Sequence, residues 1–300
     1  MLNCLEFARF IGLPSMRYAA VRMLAWALTA MSAAMPALAL DPATDLRQFV
    51  HRSWQVDQGL PQNSIVGLAQ SDEGYLWFGT RDGLVRFDGA RFTIFNSANT
   101  PAIPNDTITT VKKGIDGTLW IGTDSGLVRM QHGKFTRIGT EQGLTTLFIQ
   151  SVYQEDSGRV WVGTSRGHYA QLQDGSLRFE PVEGLPRILG GSVFRDAQNR
   201  LWINSDTLYQ STDSGFIRAV FRDAPPRLTI TTMALDSQRN PWVGTNHGLY
   251  KLDGNEFVRA LPYDGVIRAL MVDREGTVWI GQNAGIARWR DGEVEHYMLA

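Results

Sequence analysis

An all-β fold of repeated four-stranded antiparallel units, a β-propeller, is what this sequence predicts, and three observations carry the prediction. Tryptophans recur at Trp77, Trp120, Trp161, Trp202, Trp242 and Trp279, separated by 43, 41, 41, 40 and 37 residues. Around each of them the chain keeps one internal order, as in GYLWFGTRDGLVRFDG, GTLWIGTDSGLVRM and GTVWIGQNAGIARWRDG. Each copy divides into four short apolar runs bounded by Gly, Asp and Asn, the pattern of strands joined by tight turns. Four such strands per forty residues make one propeller blade, a radial arrangement that leaves only short sheet edges. No apolar periodicity of 3.6 residues runs for two turns, which argues against a helical solenoid of similar period.

Taken in chain order, residues 1–39 stand ahead of the fold. Arg17 and Arg22 precede the uncharged run Met23 to Met35, followed by Pro36 and Ala37-Leu38-Ala39. A basic start, a short apolar stretch and a small-x-small end predict a cleaved secretory signal peptide. The run is too short to span a bilayer, which takes about 20 residues. Met16 is an alternative start to Met1. The sequence holds one cysteine, Cys4, ahead of the predicted cleavage site. The exported chain, residues 40–300, then has no cysteine, which excludes a disulfide framework, a Cys-based zinc site and an iron–sulfur cluster. A Gram-negative periplasm is the predicted compartment.

The whole chain carries 29 basic and 30 acidic residues. Removing Arg9, Arg17, Arg22 and Glu6 leaves 26 and 29, a balance without the electrostatic footprint of a nucleic-acid binder. Hydrophobic residues make up 43 %, enough for a sizeable core.

Within the first repeat the predicted strands are Ile65–Ala69, Tyr75–Gly79, Leu84–Phe87 and Arg91–Phe95. Asp88-Gly89, Asp174-Gly175, Asp253-Gly254 and Asp291-Gly292 supply the positive φ that tight hairpins need. Each tryptophan sits mid-strand, where its large surface fills the space between neighbouring blades. Gly79, Gly122, Gly163, Gly244 and Gly281 follow two residues later and let adjacent backbones approach closely. The fourth copy departs, with Trp202-Ile203-Asn204-Ser205 and Thr207-Leu208; drift in one repeat is the reading, a remodelled rim the alternative.

Six complete blades are predicted, together with an orphan outer strand, Gln48–Val56, that precedes the first blade without inner strands of its own. The last repeat carries its own outer strand, Val294–Met298. This count predicts an incomplete seven-bladed ring; a six-bladed ring with a spare strand is the alternative. Residues 40–300 then read as one propeller domain, truncated on its C-terminal side.

The segments FVHRSWQVDQGLPQNSI, DEGYLWFGTRDGLVRFDG and GTLWIGTDSGL resemble the two-component regulator propeller repeat over residues 46 to 300. The resemblance implies a periplasmic sensor portion of a bacterial membrane receptor. In that family one or two seven-bladed propellers precede a β-sandwich, a transmembrane helix and a cytoplasmic histidine kinase or diguanylate cyclase. It therefore implies a sensing step without chemistry in this chain, a small polar ligand such as an oligosaccharide, membrane-anchored signalling domains as partners, and a homodimeric receptor.

The residues themselves show no catalytic constellation. His51, His132, His168, His247 and His296 fall in different repeats or strands and form no H-E-x-x-H pair, so no metal site is predicted. Nucleophile elbow, P-loop and dinucleotide fingerprint are absent, and no cofactor is expected. Glu155-Asp156, Asp72-Glu73 and the recurring Asp-x-x-Gly read as turn devices.

What remains is one rim, where the second-to-third hairpins and the outer-to-inner connections meet. In the first blade these hold Gln62, Asn63 and Ser64, and Arg81 with Asp82. Equivalent places hold Asn105 with Asp106, Asp124 with Ser125, Thr145 with Thr146, Arg166 with His168, Arg187, Asn204 with Asp206, Asn246 with His247, Tyr263 with Asp264, and Asn283. Amides, hydroxyls, Arg, His and Tyr of this kind suit a neutral or weakly charged polar ligand. Two other functions compete with the sensor: a secreted propeller enzyme, lyase or hydrolase, on a carbohydrate or lactone, and a periplasmic scaffold. Streptogramin lyases share this general repeat style.

Overall fold

The computed structural model describes Gln48 and residues 52–185, 190–260, 265–273, 275–283, 285–290 and 292–298. The predicted leader, residues 49–51 of the expected lone strand, and the rim residues Arg187 and Tyr263 lie outside the described residues.

Six four-stranded antiparallel sheets form the blades of a propeller, and within each the strands follow one another in simple up-and-down order. The first blade consists of Gly67–Gln70, Leu76–Thr80, Gly83–Phe87 and Phe92–Phe95, within two residues of the predicted runs. The six tryptophans lie on the second strands: Leu76–Thr80, Leu119–Thr123, Val160–Thr164, Leu201–Asn204, Pro241–Thr245 and Val278–Gln282. Gly89, Gly175, Gly254 and Gly292 all have positive φ, between 62° and 99°, as the Asp-Gly hairpins require.

Successive strand residues point to opposite sheet faces, so each blade has two apolar sides. Trp77 and Leu84 of blade 1 pack with Ile108, Val111, Ile121 and Val128 of blade 2. Similar buried clusters join blades 2 and 3, 3 and 4, 4 and 5, and 5 and 6. The sixth cluster, around Phe78 and Val85, belongs to blade 1 and the Leu60 connection before it. Among the described residues no buried cluster joins blade 6 to blade 1. Trp77, Trp120, Trp161, Trp202 and Trp242 are buried, in the core role predicted for them; Trp279 is half-buried.

The glycine two residues after Trp77, Trp120 and Trp242 is a socket. A Cβ at Gly79 would overlap Ile108 of the next blade, at Gly122 Ile149, and at Gly244 Ile267. Close approach between blades thus follows from removing one methyl group on one side and placing a branched side chain on the other.

Two expectations change. Arg52–Gln55, within the expected lone strand, join no sheet among the described residues, and Val56–Gln58 forms a 3-10 turn ending at Gly59. A strand exists through ladder hydrogen bonds, and no described strand lies beside these residues. The fourth repeat, in turn, departs together with its neighbour. Gly190-Gly191 stands where other blades place the inserted isoleucine, and a Cβ at Gly163 would overlap the Gly190 carbonyl itself. Asn204 replaces the socket glycine and pairs through its backbone with Ser192 at 2.9 Å and Gly191 at 3.0 Å. Bulk lost on one strand is restored on the adjoining ones. The link after blade 4 adds one further contact: Val220–Phe221 pairs in parallel with the outer strand of blade 5, Glu256–Arg259.

No helix among the described residues is long and apolar enough to cross a membrane.

Candidate functional site

Antiparallel order places the inner-to-second turns at one end of every blade and the second-to-third hairpins at the other. The outer-to-inner connections share the latter end, so the two sets of connections lie on one rim. Its hairpins are built alike. Thr80 Oγ1 donates to Gly83 O at 2.9 Å and accepts from the Asp82 N–H at 3.1 Å. Thr123, Thr164 and Thr245 repeat this with Gly126 and Ser125, Gly167 and Arg166, and Gly248 and His247. The threonine is fully buried in all four hairpins. It fixes the turn while leaving the two tip side chains free to differ.

Several predicted rim residues are occupied in holding this frame. Asn63 Oδ1 accepts from the Val56 N–H at 3.0 Å, and Gln62 Oε1 accepts from the Arg81 N–H at 3.4 Å. Asp106 Oδ1 accepts from the Ser97 N–H at 2.7 Å, and Asn283 Oδ1 from Arg268 Nε at 2.9 Å. Asn204 is held through its backbone to Gly191 and Ser192, the lead into its own blade's inner strand. Arg81 and Asp82 are exposed, His247 is half-buried, and Asp124 holds a buried Oδ1 without a hydrogen-bond partner.

Arg166 and His168 are brought together, in a cleft of about 420 Å³ on the rim of blade 3. Thr145, Thr146, Tyr169, Pro181, Val182 and Leu185 complete its lining. The Thr145 hydroxyl and the Tyr169 phenol are hydrogen-bonded at 2.6 Å. Arg166 is exposed at the mouth. His168 is only 3 % exposed, and its Nε2 bonds to the Gly191 carbonyl at 3.2 Å. Burial pushes its pKa down to about 4 against the opposing pull of nearby carbonyls, so the ring is neutral at pH 7. Among the described residues the cleft therefore presents one cation, a set of hydroxyls and an apolar side wall. Tyr169, Val182 and Leu185 escape a sequence reading because they lie within a strand and beyond the outer strand, not at the turn tips.

The opposite rim holds a second cleft, of about 250 Å³, lined by Glu155, Asp156, Arg195, Asp196 and Arg239 among others. Here the carboxylates read as turn devices have a further task. Glu155 accepts from Trp161 Nε1 at 2.6 Å, Asp196 from Trp202 Nε1 at 2.8 Å and Asp273 from Trp279 Nε1 at 2.8 Å. In blades 3, 4 and 6 the acid stands six residues before the tryptophan; Asp236 holds that place before Trp242 and accepts from Asn240 Nδ2 at 2.9 Å. Blades 1 and 2 have Ser71 and Gly114 there instead; Trp120 turns to Gln154 at 3.1 Å, and Trp77 Nε1 is left without a partner. Arg195 pairs with Glu155 at 2.6 Å, and Arg239 reaches Asp156 and the Arg195 carbonyl. With its charges paired among themselves, this cleft is a latch between blades 3, 4 and 5. Among the described residues no three His, Cys, Asp or Glu side chains gather as metal ligands.

Comparison with known proteins gives this geometry a context. Residues 59–82 match the family described as two component regulator propeller. A 60-residue segment is 40 % identical to histidine kinase P4 of Formosa agariphila, covering 20 % of this chain and 4 % of that kinase. Among solved structures, the extracellular domain of a hybrid two component system of B. thetaiotaomicron superposes with a TM-score of 0.70 at 20 % identity. That match covers 83 % of this chain and 36 % of the other. A streptogramin B lyase superposes with a TM-score of 0.63 at 15 % identity, over 81 % and 85 % of the two chains. At such identities the superpositions establish the fold alone. The chain is a β-propeller in which residues 59–82 match the two component regulator propeller family. It spans a small part of the kinase it matches and about a third of the Bacteroides domain.

Proposed function

We propose that this propeller is the ligand-sensing input of an exported bacterial signal-transduction receptor, a histidine kinase or diguanylate cyclase, and binds a small polar ligand without chemistry. The rim cleft of blade 3 is the observation that carries this reading. Thr145, Thr146 and the Tyr169 phenol offer donors and acceptors in one wall, Arg166 offers a single positive charge, and Val182 and Leu185 offer an apolar surface. That mixture suits the hydroxyls and apolar ring face of a saccharide. The one imidazole in the cleft is buried, neutral and bonded to a carbonyl, an arrangement for packing rather than proton transfer. The 40 % identical kinase segment supports the signalling context; a periplasmic location, membrane-anchored signalling partners and pairing of two receptor chains belong to the same proposal.

Thermal-shift measurement with neutral and uronic-acid oligosaccharides tests it. A binding saccharide raises the Tm of the full chain, and Arg166→Ala or Thr145→Val removes that rise while leaving the free protein's Tm nearly unchanged. A shift insensitive to both substitutions places binding elsewhere, and the absence of any shift across the panel removes saccharides as the ligand class.

A further inference from the structure

Each blade must satisfy the same indole with its own residues, so the blades serve as controls for one another. Among the described residues four of the repeat tryptophans carry a guanidinium over the ring. These are Arg86 over Trp77, Arg159 over Trp161, Arg200 over Trp202 and Arg288 over Trp279, at 4.8 to 5.9 Å from the ring centroid. In the last three pairs both members find an acceptor. The indoles of Trp161, Trp202 and Trp279 donate to Glu155, Asp196 and Asp273. Arg159 Nε donates to the Gln171 carbonyl at 3.1 Å, Arg200 Nε to Asp196 at 2.6 Å, and Arg288 to Glu295 at 2.6 Å. Blade 4 has the most compact form: one oxygen, Asp196 Oδ2, accepts from both Arg200 Nε and Trp202 Nε1.

Blade 1 keeps the two donors and lacks the acceptor. Ser71 stands six residues before Trp77, and its hydroxyl oxygen lies one bond short of the carboxylate oxygens an aspartate would carry. Thr93 pairs with Arg86 in the ladder, where Glu295 pairs with Arg288 in blade 6. Trp77 Nε1 is buried without a hydrogen-bond partner, a state rare for buried donors. The half-buried Arg86 guanidinium makes no hydrogen bond or ion pair with any described residue. Rings hold it instead, Tyr75 at 4.6 Å and Phe95 at 5.9 Å from the ring centroids. Stacking engages the flat side of a guanidinium and leaves the N–H groups at its edge. Of the two acids beside Ser71, Asp72 pairs with Lys113 of blade 2, and Glu73 is exposed in the turn.

We infer that blade 1 takes its carboxylate from solution: a small organic monocarboxylate binds between Arg86 and Trp77, with an oxygen in the place that Asp196 Oδ2 holds in blade 4. An anion suits the site because a guanidinium and an indole N–H both donate and neither accepts. A carboxylate suits it better than a spherical ion, since its two oxygens serve two donors with charge-assisted bonds. Trp77 is only 4 % exposed, which favours a short acid over a bulky one. Tyr75 and Phe95 offer apolar contact to its carbon end, and Asp72 and Glu73 close by disfavour a second negative charge. The turn at Ser71 belongs to the rim opposite the blade 3 cleft, so this site stands or falls independently of saccharide binding there.

Acetate and propionate are the probes, compared with chloride at equal ionic strength on the full chain. At about ten times its dissociation constant, a single-site ligand is expected to raise the Tm by roughly 3 °C. The Trp77 indole N–H proton resonance, assigned by its loss in Trp77→Phe, should move downfield over the same titration. Ser71→Asp supplies the missing group from the chain itself. It is expected to raise the Tm in the absence of acetate by a similar amount, to hold the Trp77 resonance near its bound position, and to abolish the response to acetate. Arg86→Gln abolishes the response without that gain. A Tm rise that persists in both variants is a bulk effect of the salt and overturns the inference. So does a Trp77 resonance that stays fixed throughout the titration. A fall in Tm in Glu73→Gln equal to that in Arg86→Gln would mean that the chain already provides the carboxylate, and overturns it as well.

Discussion

At position 168 an imidazole stands where the other blades place Leu84, Leu127, Leu208, Leu249 and Ile286. Its Nδ1 is buried without a hydrogen-bond partner, and leaving such an atom unsatisfied costs about 1 kcal/mol or more. The Gly191 carbonyl that receives Nε2 also receives Ser151 Oγ at 2.5 Å, so removing the ring strands nothing. His168→Leu is therefore expected to stabilise the protein by about 1 kcal/mol at pH 7 in urea unfolding. The pH dependence has a definite sign. The folded-state pKa of about 4 lies below the ordinary 6.5, so the unfolded chain binds the extra proton first as pH falls. Stability present above pH 6.5 drains away as pH drops toward 4, by at most about 3 kcal/mol. His168→Leu should flatten that part of the stability curve between pH 7 and 5; an unchanged slope would refute the assignment.

Among the elements, the tryptophan strand and its glycine decide how blades meet. Gly163→Ala drives a Cβ into the backbone of Gly190 and into Ser151 Oγ, neither of which moves freely. A loss of about 3 kcal/mol is expected. Gly281→Ala meets the Ala269 methyl at 3.0 Å as its nearest neighbour, with the Ala269 backbone at ordinary contact, and should cost about 1 kcal/mol or less, since alanine also suits a strand better than glycine. Parallel denaturation curves of the two variants check the contrast. Much at this scale is legible in the chain: strand edges come from Gly and Asp-Gly, whose φ is a local matter, and the core face comes from alternation. The partner of each indole is less so. Glu155 is legible as a turn residue, but its bond to Trp161 requires the hairpin to be closed before the two atoms meet. The compensation between Asn204 and Gly190-Gly191 is invisible for the same reason, because the two stretches face one another only once their hairpin is closed.

Over the whole molecule, packing between blades is two-sided for blades 2 to 5; among the described residues the leading face of blade 1 is covered by the Leu60 connection rather than by a blade, and no buried cluster covers the trailing face of blade 6. Local opening follows uncovered apolar contacts. Hydrogen exchange is therefore expected to be slowest in the second and third strands of blades 2 to 5. It should be fastest in Gly67–Gln70 and Ala269–Val272, whose outward residues Leu68 and Met271 are open to solvent. Uniform protection across all six blades would contradict this difference.

The repeat spacing, the turn residues and the alternation of apolar positions are properties of short stretches, so the chain alone determined a propeller of four-stranded blades and the rim on which its variable residues fall. Which rim residues share a cleft was decided only by folding. Arg166 and His168 meet Tyr169 and Leu185 because a strand and a connection bend back toward one another, whereas Gln62, Asn63 and Asp106 spend their side chains on backbone N–H groups nearby. The neutrality of His168 and the exposure of Ile65 and Ile286 likewise depend on what lies across an interface. Burial is a property of pairs of surfaces, and no single stretch of sequence contains both.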